Sequence, residues 1–154
     1  MSNTNDYYSN LIPCLKGLLD QEHDMIANLA NASALLFQTL PDLNWAGFYL
    51  YKNDELILGP FQGKVACMHI ALGKGVCGTS ALYKECLRVD NVHEFPGHIA
   101  CDGASNSEIV IPLLKENTLI GVLDIDSPSF QRFTQQDEDV LRQFCEVLVS
   151  SFTC

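Results

Sequence analysis

Three cysteines stand in settings where a thiol can react: Cys67 in VACMHI, Cys77 in GVCGTS and Cys101 in HIACDG. Cys77 and Cys101 fall among glycines and polar residues that read as loops, and an exposed thiol is the kind that becomes a nucleophile. Cys67 sits in a strand-like run, pointing to either face. Such thiols serve redox exchange, hold a metal, or do neither. Cys67, His69, Cys77 and Cys101 supply the donors of a Cys3His site. The chain has no CxxC or HxxxH spacing, however, which is the usual sign of zinc. Cys14 and Cys145, in helical stretches with apolar neighbours, and Cys86, opening an apolar strand, read as core residues. Cys154 ends the chain.

A second constellation is acidic. Asp124 and Asp126 interrupt the apolar run LIGVLDID and, two apart, share one face of a strand. Glu108 opens the run expected to pair with it. Three carboxylates on one paired edge repel one another unless a cation sits among them or one keeps its proton. The alternative is that the strand ends at Leu123 and the acids are solvated. Trp45 and Tyr49 share a strand face as well, either as core or as the wall of a small apolar pocket.

The elements that must position these groups follow from periodicity. Residues 7–38 read as one or two helices, with Pro13 near a start or break and Pro41-Asp42 at the end. WAGFYLYK (45–52) alternates as a strand, with Trp45, Gly47, Tyr49 and Tyr51 on one face and Ala46, Phe48 and Leu50 on the other. A turn at Lys52–Asp54 leads to a strand over 55–59, and a third strand is expected over 65–71. The glycine-rich stretch 73–79 opens a short helix. A strand over 86–92 and a long irregular stretch over 93–106 precede a hairpin, 108–114 with 119–125. The chain closes in a helix that Thr134 and Asp137 cap, with Val140, Leu141, Phe144, Leu148 and Phe152 on its apolar face. Terminal helices around hairpins make an α+β fold. Its central antiparallel sheet carries the terminal helices on one face and ligand-binding loops on the other. Residues 1–154 read as a single domain.

The chain has 154 residues and a formal net charge of −10, with 47% hydrophobic residues. That charge disfavours nucleic acid and anionic membrane surfaces. The first residues, MSNTNDYYSN, lack the basic and apolar run of a signal peptide. A cytoplasmic location is expected. Seven cysteines, an odd number, do not suit a closed disulfide framework.

HIACDGASNSEIVIPL (98–113), with WAGFYLY, LGPFQGKVACMHI, GKGVCGTSA and IGVLDIDSP, closely resembles the free methionine-(R)-sulfoxide reductases, stand-alone GAF-domain enzymes. The resemblance spans about residues 5–152. It implies a GAF-like fold and a thiol-dependent oxidoreductase without bound cofactor or metal, acting on free methionine-(R)-sulfoxide. It further implies Cys101 as the nucleophile, Cys67 as its disulfide partner and Cys77 as an additional resolving or recycling thiol. Trp45 and Tyr49 match the box around the substrate methyl group. Glu108, Asp124 and Asp126 match the substrate-binding acids. The family also implies recycling by thioredoxin and a homodimer formed through the helices. The chemistry is consistent: acids answer the ammonium of a free amino acid, and Glu108, held neutral by its neighbours, is the choice for proton donor to the sulfoxide. Backbone N–H groups over 99–104 are candidates for the carboxylate, and His98 is either a promoter of the Cys101 thiolate or structural. A ligand-binding GAF module without chemistry, or a redox sensor, is the rival reading.

Overall fold

Two tight turns set the sheet. Asn53 and Asp54 take φ of 54° and 64°, and Glu116 and Asn117 take 52° and 65°. Paired left-handed residues of this kind match the twist of a two-residue hairpin. The first turn joins β1 (Trp45–Lys52) to β2 (Glu55–Gly63), and the second joins β5 (Ser107–Lys115) to β6 (Thr118–Ser127). The computed structural model describes residues 7–98 and 103–152. With the short strands β3 (His69–Ala71) and β4 (Leu87–Val89), the sheet has the order β3-β2-β1-β6-β5-β4. Every neighbouring pair is antiparallel.

Alternation along the central strands builds two apolar layers. Ala46, Phe48, Leu50, Ile109, Ile111, Leu123 and Ile125 point to one face. There they meet α1 (Leu11–Leu19), α2 (Met25–Thr39) and α4 (Gln135–Ser150). Trp45, Tyr49, Val110 and Val122 point to the other face, where α3 (Gly75–Tyr83) contributes Val76, Cys77 and Ala81. The arrangement is GAF-like, with the terminal helices on one face as expected. The helix starts are chemically marked. Asp24 Oδ1 accepts from Ala27 N–H at 2.9 Å, and Thr134 and Asp137 form a reciprocal capping box.

Several boundaries differ from expectation. The N-terminal helical region is two helices, broken at residues 20–24; Pro13 sits near a start as expected, in the first turn of α1, where its missing N–H costs nothing. Strand β2 runs on to Gly63 instead of stopping at Gly59. A register irregularity between Gly47 and Tyr49 lets it carry Pro60. The strand expected over 65–71 shrinks to β3, because only Glu55–Ile57 of β2 pair with it. Strand β4 covers only Leu87–Val89 of the expected 86–92, and a 3-10 turn follows at Val92–Glu94. Cys14, expected in the core, is exposed: Leu11, Leu15 and Leu19 form the buried stripe of α1 and Cys14 lies off it. Cys145 is buried as expected and Cys86 is half-buried.

Candidate active site

The β5–β6 register assembles the acids. Glu108 lies directly opposite Asp126, which on its other side pairs with Trp45 of β1. Asp124, two residues earlier, pairs with Gly47. Strand β6 continues to Ser127, so the acids belong to the sheet and are not solvated turn residues. Glu108 and Asp124 are 7% and 6% exposed. Asp124 Oδ1 has no hydrogen-bond partner among the described residues. Burial, and then the charges of Asp124 and Asp126, push the Glu108 carboxyl well above the usual carboxylate range. Burial also raises Asp124, while hydrogen bonds from Glu108 and Cys77 pull it back. The direction of these shifts favours a protonated carboxyl at Glu108 over a fully ionised cluster.

Trp45 and Tyr49 stand beside the acids on the same face. Their rings stack at 5.9 Å, and Phe61 stacks on Trp45 at 5.1 Å. Between the two lies Gly47, where a Cβ would come within 2.2 Å of Phe61 Cβ and 2.9 Å of the indole. A side chain here would break the stack. Polar tips are anchored to the segment that follows β2: Trp45 Nε1 donates to the Lys64 carbonyl (3.1 Å) and the Tyr49 hydroxyl to the Cys67 carbonyl (2.9 Å). The two aromatic rings, the three acids and Cys77 wall a single cavity. Val65 and Ala66 close one side, His98 and Ser105 another.

Cys77 corrects the sequence-based picture. It was expected on an exposed loop, but it lies in the first turn of α3 and is 5% exposed. The helix starts inside the glycine-rich stretch because Gly78 lets it press on β3; a Cβ there would sit 2.4 Å from the Ala71 carbonyl oxygen. The Cys77 thiol reaches Glu108 Oε2 at 3.9 Å. Burial first, then the charge of Asp124, raises its pKa well above that of a free thiol. Cys67 is half-buried beside the cavity and is disulfide-bonded, whereas Cys14, Cys77, Cys86 and Cys145 are free thiols. Cys101 lies outside the described residues, as do Ile99 and Ala100 of the expected carboxylate-binding stretch. Burial, and then the adjacent His93 ring, lowers His98. The lowered pKa favours the neutral imidazole, and His98 stands in the wall of the cavity.

Sequence reasoning passed over the amino end of α3. Lys74 is its N-cap residue and makes no side-chain cap, and Lys74, Gly75 and Val76 line the cavity. The signal was present in the break that Gly73 and Gly75 impose before a helix-forming run. Cys77, Glu108 and Asp124 also place one donor atom each within 4.8 Å of one another, a geometry open to a metal ion.

A GAF-domain family model matches residues 27–150. The free methionine-R-sulfoxide reductase of Escherichia coli is 55% identical over 141 residues, 92% of this chain and 86% of that protein. The chain belongs to the free methionine-R-sulfoxide reductases, within the GAF-domain family. Solved structures of the family superpose closely. The fRMsr of Staphylococcus aureus in complex with substrate is 47% identical with a TM-score of 0.91, covering 95% of each chain. The free methionine-R-sulfoxide reductase of Neisseria meningitidis in complex with its substrate is 38% identical with a TM-score of 0.94, covering 99% of this chain and 92% of that one.

Proposed function

We propose that this chain reduces the (R)-sulfoxide of free methionine, with Cys101 as nucleophile. The observation that carries the reading is the single cavity in which an aromatic pair, three carboxylates and a thiol meet. Trp45 and Tyr49 take the methyl end of the substrate. Asp124 and Asp126 take its ammonium, which supplies the cation that an all-acid cluster needs. The carboxylate goes to the amino end of α3, where first-turn N–H groups lack intrahelical acceptors and Lys74 adds charge.

The Cys101 thiolate attacks the sulfoxide sulfur. Glu108 delivers its proton to the oxygen as the bond between the two sulfurs forms. The protonated oxygen then passes from the substrate sulfur to the Cys101 sulfur, the bond between the two sulfurs breaks with its electron pair left on the substrate sulfur, and methionine leaves with Cys101 as a sulfenic acid. The Cys67 thiol condenses with it, releasing water and forming a disulfide; the disulfide-bonded state of Cys67 supports this step. A dithiol reductant, thioredoxin, returns both to thiols. Cys77, buried against Glu108, acts as an internal relay thiol. Among the described residues no helix is long and apolar enough to cross a membrane. The reading places the enzyme in the cytoplasm, where such a reductant is available, as a homodimer through the helical face that exposes Leu18 and Ile26.

The test is an epimer-resolved assay on free and peptide-bound methionine sulfoxide with dithiothreitol as reductant. Consumption of the free (R) epimer alone is expected, and consumption of neither epimer overturns the reading. Cys101→Ser should abolish the first turnover, whereas Cys67→Ser should keep one turnover and lose recycling. A burst from Cys101→Ser removes Cys101 from its role.

A further inference from the structure

We propose that the segment 64–68 is the docking surface for the protein dithiol that recycles the enzyme, and that this reductant attacks the sulfur of Cys67. The inference rests on the reductase reading above. A protein reductant must bring its sulfur into bonding distance of the disulfide, so it must touch the residues on either side of the sulfur it attacks. Around Cys67 these are Val65 and Met68, 87% and 67% exposed, the two most exposed large apolar residues among those described.

The segment is built as a platform. From the inner side it is held by three hydrogen bonds: Trp45 Nε1 to the Lys64 carbonyl, the Tyr49 hydroxyl to the Cys67 carbonyl, and Leu58 N–H to the Met68 carbonyl at 2.9 Å. Ala66 and the half-buried Cys67 pack against the pocket-side apolar layer, while Val65, at the rim of the cavity, and Met68 are largely open to solvent. Apolar side chains fixed outward on an anchored loop match the core of a protein contact.

The charge around the platform selects the partner. The chain as a whole is at −10, yet no Asp or Glu occurs between Leu56 and Lys84, a stretch that carries Lys64, Lys74 and Lys84. Lys64 and Lys74 are exposed. Glu55, at the border of the stretch, is engaged by His69 at 2.9 Å. Lys64 adjoins Val65 in the chain, and Lys74 lines the same cavity as Val65 and Ala66; two exposed cations beside an apolar pair, on an otherwise acidic protein, fit an acidic dithiol protein. Cys77 is not an alternative point of contact, because at 5% exposure it is buried on the cavity side of α3.

The exchange balances. The thiolate of the reductant forms a bond to Cys67 Sγ, and the bond from Cys67 to Cys101 breaks. Its electron pair leaves on Cys101, which takes up a proton. The second thiol of the reductant then attacks the mixed disulfide, freeing the Cys67 thiolate, which is protonated in turn. The disulfide is reduced and the dithiol is oxidised.

Two measurements decide it. The oxidised protein is mixed with an acidic thioredoxin whose second active-site cysteine is serine, and the trapped adduct is mapped by peptide mass spectrometry. The adduct is expected on Cys67; an adduct on Cys101 or Cys77 overturns the proposal. Trapping needs no sulfoxide, so it reads docking even if the substrate assignment fails. Separately, Met68→Glu and Lys64→Glu should each lower thioredoxin-supported kcat/KM about tenfold, with the dithiothreitol-supported rate unchanged. The loss for Lys64→Glu should shrink as salt rises. Equal rates with thioredoxin for both variants and the parent overturn the docking surface and leave the reductase reading intact.

Discussion

The two faces of one sheet are built from the same strands and do opposite work. On the helical face, Phe48, Leu123, Ile125 and Ile109 are fully buried against α1, α2 and α4. One residue over, on the other face, the same strands present Trp45, Tyr49, Asp124, Asp126 and Glu108. The first face is chemically uniform, and burial there is favourable. The second buries carboxylates whose charge is costly to desolvate, and the folded chain carries that cost as a raised Glu108 pKa. The period-two alternation of a strand thus joins the element that stabilises the fold to the element that strains it.

The sharpest way to break this comparison is to cut the helical face. Phe48→Ala removes a fully buried ring and should destabilise the protein by about 3–5 kcal/mol, read by denaturant unfolding. The folded fraction should keep its kcat, since Phe48 faces away from the cavity. A selective loss of kcat at full folding would show that the two faces are not separable.

The alternation was legible because strand β1 has one clear period, and the hairpin turns and the Thr134–Asp137 cap were legible because they are local. The burial of Cys77 was not. Its neighbours Gly75 and Gly78 read as loop residues, and only the approach of α3 to Ala71 makes Gly78 a packing contact. Lys74 escaped notice although a helix was expected to open in 73–79, because only the packing of α3 brings its amino end to the cavity. Cys14 had apolar neighbours, as a core residue does, but which side of a short helix is buried depends on what packs against it. The acids were legible as a group, and Glu108 as the choice for the proton, but their burial was not: Glu108 and Asp124 are 7% and 6% exposed only because β6 continues past Leu123 within the sheet.

The next effect tests the strained face directly. Glu108→Gln keeps shape and hydrogen bonding but removes the transferable proton, and should lower kcat about a hundredfold. Stability should move the other way. Because the Glu108 pKa is raised in the folded chain, that chain holds an extra proton at pH values above the ordinary carboxyl range, and stability falls as pH rises toward the raised value. The variant has no such proton and should lose this slope. Denaturant midpoints across pH for both proteins check it; parallel slopes would mean that another group carries the proton. The kcat of the parent should also fall at high pH, as Glu108 ionises.

The smallest expected effect separates the buried part of the pocket from its rim. Lys74 is exposed at the amino end of α3 while the acids lie beneath it. An exposed charge acts through water and is screened by salt. Lys74→Ala should therefore raise KM for the free amino acid only about fivefold, leave kcat and stability unchanged, and lose its effect at high salt. Lys74→Arg should restore KM, since charge rather than shape is at work. A KM insensitive to Lys74→Ala would move the carboxylate contact wholly onto the backbone N–H groups of α3. A change in kcat would mean that the rim, like the buried face, takes part in the chemistry.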